Sequence, residues 1–390
     1  MNQFDTTDQL SPQGRQKLAD REKKMRLRTL AARLTLCAGA ICVAPAAHAD
    51  EQVVNVYNWG NAIGKDTIAN FEKATGIKVV YQEFDSDHTL QAKLLAGSSG
   101  YDVVSPSNTA WSRQIQLGVY QKIDTARIKN FSRLDPDIMA LIEKADPTQS
   151  MGLPWSWGTD GLGMNVEKVT SALGATAPLN SLSLLFDPEN AQKLKSCGIS
   201  MVDSPIDVFS AALVYLKKDP NSRNPSDYEQ AYQLLKGIRP YITQFNSSTY
   251  INDLAGGDVC LAYGWSGDVE TARARAAAAK KTYHIRYVIP EEGGAAWFDM
   301  VAIPKDAPHR EAALKWIDFV LSDKESASLT NSTSFPAANL HSKQWVTPDL
   351  ASSPSVYPSP AQFQKLFIGK PMPLELQKLV NRLWTKLKAG

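Results

Sequence analysis

Cysteine and histidine are scarce in this sequence of 390 residues, which holds four cysteines and five histidines. It contains neither a CxxC nor an HExxH pattern, and its histidines are scattered, so the ligand spacing of a zinc site is missing. After residue 49 only Cys197 and Cys260 remain. We expect neither a metal nor a cofactor.

Long apolar runs and basic blocks are also missing from residue 50 onward. No segment there reaches the roughly 20 apolar residues of a membrane-spanning helix. Of 42 basic and 40 acidic residues, eight and four lie in the first 49, which leaves 34 and 36 and a net charge of −2. This balance, without a cluster of Lys and Arg, argues against a nucleic-acid surface.

A catalytic set of nucleophile, base and acid is not evident either. The stretch "GWSG" at 264–267 is similar to part of the serine-hydrolase elbow, but it lacks the GxSxG spacing and no histidine suited to a triad follows it. We therefore expect a protein that is not an enzyme.

The first 49 residues have the layout of an export signal. A basic segment "REKKMRLR" (21–28) precedes an apolar segment "LTLCAGAICVA" (34–44) and a small-x-small site "AHA" (47–49). The polar stretch before Met25 is long, so Met25 is an alternative translation start. We expect a periplasmic protein. In that oxidising compartment Cys197 and Cys260 favour one disulfide, with two buried thiols as the alternative.

The chain from residue 51 to residue 108 alternates between strand and helix patterns. Strands are predicted at 51–60, 77–84 and 101–108, and helices in 65–76 and 89–100. Asp66 is placed to cap the first helix and Gly76 to end it. This order predicts a parallel α/β sheet, whose ligand site lies at the carboxyl ends of the strands.

A second unit begins near "LPWSWGTDGLGMN" (153–165), which is dense in Gly and Trp. Helices are predicted at 204–218, 228–242 and 310–323, a helix, turn and buried strand at 250–268, and two strands at 283–305. Two α/β lobes with interleaved segments fit this order, and a cleft between lobes is a common place for a small-molecule site.

Tryptophan and aspartate occur together in "GWSGD" (264–268) and in "WFD" (297–299). A carboxylate beside an indole is a poor core element, because an unpaired buried charge costs several kcal/mol. The same pair suits an organic cation: the carboxylate accepts N–H hydrogen bonds and the ring face attracts the positive charge.

Five stretches together resemble the periplasmic polyamine-binding proteins, the putrescine- and spermidine-binding components of ABC importers. They are "VYNWGNAIGKDTIANFEKATGIKVVY", "LLAGSSGYDVVSPS", "MGLPWSWGTDGLGMN", "YINDLAGGDVCLAYGWSGD" and "WFDMVAIP". The similarity runs from about residue 53 to near residue 390. It implies an α/β, two-lobed periplasmic binding protein of type II, with an interlobe cleft and hinge crossovers.

The resemblance also implies how the chain is divided and what it contacts. Residues 50–155 with about 283–340 would form lobe 1, and 156–282 with about 341–390 would form lobe 2. The partners would be a small amine and the membrane permease subunits of an importer, and the protein would be a monomer. Cys197 and Cys260 match a disulfide of the family.

Carried over position by position, the resemblance implies a set of ligand contacts. Aromatic walls would bury the methylenes of a polyamine and carboxylates would bind its amines. Phe335 stands where the family often has tyrosine. The implied contacts are Trp59, Ser107, Asp207, Trp265, Asp268, Trp297, Asp299 and Phe335.

The loop after Trp59 departs from the family, which commonly has Ser or Thr, then Asp, then Tyr. Here Gly60, Asn61 and Ala62 follow, so a hydroxyl, a carboxylate and a ring are missing, although Gly60 and Asn61 still lie at ligand positions. Losing one partner of a buried charge pair costs roughly 2–5 kcal/mol. A mono-amine or an ω-amino acid is therefore an alternative ligand, and a ligand-sensing subunit is an alternative role.

Each of these residues also has a structural interpretation. Trp59 and Trp265 fit half-buried core positions. Asp207 follows Ser204-Pro205 as an acidic residue in a first helical turn, and Asp268 could cap a helix. Asp299 lies in a predicted strand, where aspartate is disfavoured, and this favours a functional role.

Overall fold

The computed structural model describes residues 52–60, 62–143 and 146–389. By its internal contacts, the chain from Gln52 to Gly390 is one unit. The predicted export signal at 1–49 and Asn61 of the predicted ligand loop lie outside the described residues. Within those ranges, no helix is both long and apolar enough to cross a bilayer.

The first sheet has three parallel strands in the order β2-β1-β3. They are β1 (Val53–Trp59), β2 (Lys78–Phe84) and β3 (Val103–Val104). The predicted parallel arrangement is confirmed, although β3 covers only part of the predicted strand at 101–108. Trp59 is the last residue of β1, so it stands at the carboxyl edge where a ligand site is expected.

Two helices connect these strands. α1 (Thr67–Thr75) ends at Gly76, whose φ of 71° is the left-handed conformation that stops a helix. The Asp66 side chain makes no capping hydrogen bond, so the predicted cap is wrong. α2 (Asp87–Ala96) begins two residues earlier than predicted, because Ser86 accepts a capping hydrogen bond.

A larger mixed sheet has the order β12-β10-β5-β8-β6-β7, and one more strand, β9, pairs with β5. Its strands are β5 (Leu153–Asn165), β6 (Ile199–Met201), β7 (Gln244–Phe245), β8 (Leu261–Trp265), β9 (Ile285–Val288), β10 (Gly294–Val301) and β12 (Leu366–Ile368). A separate antiparallel pair consists of β4 (Tyr120–Gln121) and β11 (Ile303–Pro304). The predicted strands at 283–305 are therefore confirmed, but β9 and β10 both pair with β5.

The remaining helices surround these sheets. They are α3 (Asn108–Gln116), α4 (Pro136–Glu143), α5 (Val166–Leu173), α6 (Ser183–Phe186), α7 (Pro188–Leu194), α8 (Pro205–Tyr215), α9 (Pro225–Ile238), α10 (Tyr250–Gly256), α11 (Ser266–Ala278), α12 (Arg310–Val320), α13 (Asp323–Thr333), α14 (Pro348–Ala351), α15 (Pro360–Phe363) and α16 (Leu374–Ala389). The helices predicted at 204–218, 228–242 and 310–323 are confirmed as α8, α9 and α12. Short 3₁₀ helices lie at Thr125–Arg127, Lys129–Arg133, Lys195–Cys197, Arg239–Tyr241 and Leu340–Trp345.

Buried apolar side chains form two clusters, the first core and the second core. The first core draws on residues 54–157 and 298–338, and the second core on 162–288 and 376–387. β5 enters both: Trp155 and Trp157 belong to the first core, and Leu162 and Met164 to the second. All thirteen residues of β5 are buried, so this strand is a covalent and packing link between the two cores.

Cys197 and Cys260 form a disulfide, as the sequence predicted, with their Cα atoms 5.4 Å apart. Cys197 ends a 3₁₀ helix just before β6, and Cys260 directly precedes β8. Because β6 and β8 pair in parallel from Ile199 and Leu261 onward, the disulfide fixes the entry of two adjacent strands.

Candidate ligand-binding site

One face of the larger sheet brings several predicted site residues into line. On β10, Trp297 lies opposite Gly158 of β5, and Asp299 lies opposite Ser156. Further along β5, Asp160 lies opposite Trp265 of β8. Side chains alternate between faces, and directly opposed residues share a face. Asp299, Trp297, Asp160 and Trp265 therefore lie on the same face of the sheet.

The first cluster of the site, the Asp87–Asp299 group, contains Trp59, Asp87, Ser107 and Asp299. Ser107 forms an antiparallel bridge with Asp299, and its hydroxyl donates to Asp87 Oδ2 at 2.6 Å. The Ser107 N–H also donates to Asp87 Oδ1, at 3.1 Å. Trp59 packs on Phe84 with ring centroids 4.6 Å apart. This group joins the end of β1, the starts of α2 and α3, and β10.

Burial dominates the electrostatics of the Asp87–Asp299 group. It raises the pKa of Asp299 well above its ordinary value, and the neighbouring Asp87 carboxylate raises it further, while the Trp59 indole lowers it. Burial also raises the pKa of Asp87, against the two hydrogen bonds from Ser107. The Trp59 Nε1 has no acceptor at hydrogen-bond geometry among the described residues, although it is close enough to Asp299 to favour the charged form.

The second cluster, the Asp160–Asp207 group, contains Asp160, Asp207 and Trp265. Trp265 Nε1 donates to Asp207 Oδ2 at 3.3 Å. Asp160 is 1% exposed, and neither of its carboxylate oxygens has a hydrogen-bond donor in the described part of the chain. Burial and then the Asp207 charge raise the pKa of Asp160 well above its ordinary value, while the nearby Trp297 indole lowers it. Burial raises the pKa of Asp207 as well, against the Ser204 hydroxyl and the Trp265 indole.

Asp268 lies in the first turn of α11 and is held by a buried tyrosine. The Tyr250 hydroxyl donates to Asp268 Oδ2 at 2.9 Å and accepts the Trp265 N–H at 3.1 Å. α11 begins at Ser266 with Trp265 as its N-cap, so the interpretation of Asp268 as the helix cap is wrong. Burial raises the pKa of Asp268 to about 6, although the Tyr250 hydroxyl and the charge of Arg275 lower it.

An aromatic wall lies between the two clusters. The Trp297 and Phe335 rings meet edge to face, with centroids 5.1 Å apart. A side chain at Gly158 would collide with the Trp297 indole, and a Cβ at Gly267 would lie 2.6 Å from the Phe335 ring. Glycine at these two positions therefore makes room for the wall.

The site combines five acidic side chains, none of which has an ion-pair partner. Across residues 52–60, 62–143 and 146–389, none of these carboxylates takes part in an ion pair, although the charges of Arg113 and Arg275 act on Asp87 and Asp268 from farther away. Within the same ranges, no cluster of His, Cys, Asp and Glu is arranged to hold a metal ion. Uncompensated buried carboxylates are costly, and an organic cation that pairs with them removes that cost. The five are Asp87, Asp160, Asp207, Asp268 and Asp299.

The structure thus brings together all eight contacts implied by the resemblance. Gly60 follows Trp59 and is exposed, and Ala62 lies close by, with its carbonyl accepting from the Asn58 side chain at 2.7 Å. Asn61 lies outside the described residues.

Three further residues of the site escaped the sequence analysis: Asp87, Asp160 and Tyr250. Asp160 stands in "GTDGLG" within a strand, and the argument applied to Asp299, that aspartate is disfavoured in strands, applies equally to it. Asp87 and Tyr250 begin α2 and α10, where polar residues are common, and no local pattern distinguishes them.

A cavity of about 660 Å³ lies elsewhere and is lined by Glu270, Arg273, Arg286 and Asp349 among others. Its buried Glu270 is already paired with Arg273 and accepts a hydrogen bond from Ser353. None of the five site carboxylates lines this cavity, so we do not assign it to the amine site.

Comparison with known proteins identifies the family. The family of bacterial extracellular solute-binding proteins matches residues 66–358. The putrescine-binding periplasmic protein SpuD of Pseudomonas aeruginosa is 45% identical over 92% of this chain and 97% of its own length. The putrescine-binding periplasmic protein PotF of Escherichia coli is 42% identical over 88% of this chain and 93% of its own length.

Solved structures show the same fold at lower sequence identity. The spermidine/putrescine ABC transporter substrate-binding protein PotD of Streptococcus pneumoniae superposes with a TM-score of 0.73 at 22% identity, covering 87% of this chain and 99% of its own. The Tp0655 lipoprotein of Treponema pallidum gives a TM-score of 0.74 at 24% identity, covering 86% and 99%. The family binds solutes, which confirms the interpretation of the chain as a non-enzyme. The chain belongs to the bacterial extracellular solute-binding proteins and, within them, to the periplasmic polyamine-binding proteins of ABC importers.

Proposed function

We propose that this protein captures a polyamine of the putrescine–spermidine class in the periplasm and delivers it to the permease subunits of an ABC importer. The observation that carries the proposal is the pair of acidic clusters on either side of Trp297, whose carboxylates form no ion pair among the described residues. Asp299 lies opposite Ser156 of β5. Asp160 follows Ser156 by four residues on the same strand, which is about 13 Å along it. An α,ω-diamine has the matching pattern of two cations joined by methylenes.

Each group of residues has a distinct task in this proposal. Trp59, Trp297, Phe335 and the face of Trp265 cover the methylenes, at about 25 cal/mol per Å² of apolar surface. Asp299, with Asp87 and Ser107, receives one ammonium group. Asp268, with Asp207 and Asp160, receives the other, through charge-assisted hydrogen bonds. Gly60 and Asn61 would border the first ammonium position.

The two cores support a closing motion as part of the proposal. Trp59, Asp87, Ser107 and Asp299 adjoin the first core, whereas Asp207, Trp265 and Asp268 adjoin the second. We assign 50–155 with about 283–340 to one lobe and 156–282 with about 341–390 to the other. A ligand bound by both lobes would hold them closed, and a monomer suffices for this. Small-angle scattering should show compaction on ligand addition.

A mono-amine or an ω-amino acid is the second candidate ligand. The open space at Gly60 favours it, since a Cβ there would meet only Glu83 Oε2, at 3.9 Å. An amino acid needs a cation for its carboxylate. The two arginines whose charges reach the acidic clusters, Arg113 and Arg275, already donate hydrogen bonds to Gln91 and Asn252. The acidic excess therefore favours a polyamine.

A thermal-shift and calorimetry panel tests the proposal. It compares putrescine, cadaverine and spermidine with γ-aminobutyrate and glutamate. A ligand at a hundred times its Kd should stabilise the protein by about 2.7 kcal/mol. We expect stabilisation by the polyamines alone. Stabilisation by γ-aminobutyrate without any response to a polyamine would contradict the proposal.

A further inference from the structure

Asp160 is the most deeply buried of the acidic groups in the site. It lies on β5, is 1% exposed, and no donor among the described residues reaches hydrogen-bond geometry with either oxygen, although the Trp297 indole is close enough to favour its charged form. Trp297 lies on the same face of the sheet as Asp160, opposite Gly158, which precedes Asp160 by two residues. Trp265 of β8 lies directly opposite Asp160. A fully charged carboxylate in such a position would carry a large desolvation cost.

Asp207 is its neighbour and shares the Trp265 indole with it. Trp265 is paired in register with Asp160, and its Nε1 donates to Asp207 Oδ2 at 3.3 Å. Two residues earlier on β8, Tyr263 extends its hydroxyl to the Asp207 carbonyl oxygen at 3.5 Å. The charge of Asp207 therefore acts on Asp160, and the two carboxylates repel each other when both are charged.

The elements packed around this pair provide phenols and further acids. β8 contributes Tyr263 and β9 contributes Tyr287, whose hydroxyl donates to the Thr159 carbonyl oxygen at 2.8 Å. α10 contributes Tyr250 and α11 contributes Asp268, which are bonded to each other. Burial raises the pKa of all three tyrosines well above 10, so these phenols stay neutral. In the described part of the chain, no Lys or Arg forms an ion pair with Asp160 or Asp207.

We propose that Asp160 and Asp207 hold one proton between them in the empty site and that the cationic end of the ligand displaces this proton to solvent. The inference rests on the proposed function, because it requires a cationic ligand. In the empty site one carboxyl group is neutral and one is charged. When the ammonium group enters with its own protons, the neutral carboxyl group loses its proton and both aspartates become ligand-binding carboxylates.

This exchange couples ligand affinity to pH. Below the range in which the pair ionises, the ligand must expel a proton, so its affinity rises as pH rises. Asp87, Asp268 and Asp299 also have a raised pKa and release protons in the same direction, so the total count of released protons does not isolate the pair. The difference in released protons between the native protein and an Asp160 variant isolates the contribution of the pair.

The test is isothermal titration calorimetry in buffers of different ionisation enthalpy, with putrescine and with spermidine. We expect the native protein to release protons on binding, and Asp160→Asn to release about one proton fewer, since its amide has none to give. The slope of log affinity against pH should fall by the same amount. Asp349→Asn is the matched control, because Asp349 is an exposed carboxylate paired with Arg273, and it should release as many protons as the native protein.

Two results would overturn the inference: polyamine binding without proton release in the native protein, or equal release by the native protein and Asp160→Asn. If neither polyamine binds, the proposed function fails and this inference fails with it. If a polyamine binds without the expected proton release, only this inference fails, so the two failures are distinguishable. Should Asp160→Asn not fold, infrared difference spectroscopy of the native protein replaces it. The carboxylic acid C=O band of the site should weaken on ligand addition, by more in the native protein than in Asp207→Asn, and an unchanged band would overturn the proposal.

Discussion

Tyr250 shows how a residue that is remote in sequence sets the orientation of a ligand-binding carboxylate. Its hydroxyl is buried, donates to Asp268 and accepts the Trp265 N–H at the start of α11. Gly264 leaves room for this ring, since a Cβ there would lie 2.6 Å from the Tyr250 hydroxyl. One hydroxyl therefore ties the helix start, the strand end and the carboxylate together.

Replacing Tyr250 by Phe should lower polyamine affinity about tenfold, or about 1.4 kcal/mol, because Asp268 loses a charge-assisted hydrogen bond that holds its orientation. Tyr228→Phe is the control, since that buried hydroxyl donates to the Ser222 carbonyl oxygen at 3.0 Å and belongs to neither acidic cluster. Calorimetry should separate the two variants while urea denaturation finds similar losses of stability. Equal affinities would mean that Tyr250 is purely structural.

Asp268→Asn and Asp299→Asn should each weaken polyamine binding far more than they lower stability. Each removes a carboxylate proposed to pair with a desolvated ammonium group, a contact expected to be worth roughly 2–5 kcal/mol. Calorimetry with the best polyamine measures the effect, and Asp349→Asn again serves as the control. An unchanged affinity in either variant would identify that aspartate as structural.

At this scale the sequence indicated ten ligand positions, eight of them side chains of the two clusters and the wall, because paired Trp and Asp are conspicuous and the resemblance covers the rest. Asp160 carried the same local signal as Asp299, an aspartate within a strand, but its strand was not predicted, so the signal was missed. Asp87 was missed because its role depends on Ser107, twenty residues away, which the sequence does not pair with it. Local chemistry was therefore predictable, and compensation between distant side chains was not.

At the scale of elements, the loop after β1 is where the resemblance implies a departure from the family. The Gly60 N–H donates to the Phe84 carbonyl oxygen at 3.1 Å and the Ala62 N–H to that of Trp59 at 3.3 Å. Gly60 has no positive φ, and the nearest atom to a Cβ there is 3.9 Å away. A serine at this position therefore fits without strain.

Restoring the loop with Gly60→Ser, Asn61→Asp and Ala62→Tyr should raise putrescine affinity tenfold or more, which is about 1.4 kcal/mol. The added hydroxyl, charge and ring would all act near the Asp87–Asp299 group. The double variant that keeps Asn61 separates charge from shape, and titration calorimetry compares all three proteins. If the triple variant binds putrescine no better than the native protein, this loop does not set specificity.

Strand and helix order was predictable because hydrophobic periodicity and turn residues are local. The thirteen-residue course of β5 was not, since its Gly and Trp residues give no alternation and all of its side chains are buried. The need for its glycines follows from side chains that are distant in sequence. Gly158 accommodates Trp297, and a Cβ at position 163 would lie 2.6 Å from Val269.

At the scale of the whole molecule, the acidic site makes the ligand-free protein sensitive to pH. An aspartate with a raised pKa in the folded state keeps its proton there after the unfolded chain has lost it. Raising the pH through that window therefore favours unfolding. For Asp268 the window runs from about 4, the value in an unfolded chain, to about 6.

Over this window the native, ligand-free protein should lose stability relative to Asp268→Asn, by on the order of 2 kcal/mol. The asparagine does not titrate, so the difference between the two proteins isolates Asp268 from all other groups. Urea denaturation at several pH values from about 4 to about 7 measures it. A difference that stays constant, or that changes in the opposite direction, would show that Asp268 is not held in a desolvated state.

The passage of β5 through both cores has a consequence for the order of folding. The first core is incomplete without Phe298, Met300 and Trp316, so residues 54–157 cannot close it alone. The second core needs Val380, Leu383 and Trp384 of α16, which lie farther along the chain. Contacts between such distant segments carry a high loop-closure entropy and form slowly. A truncated chain that ends after the first core's last segment would therefore leave the second core unfilled, and α16 completes it.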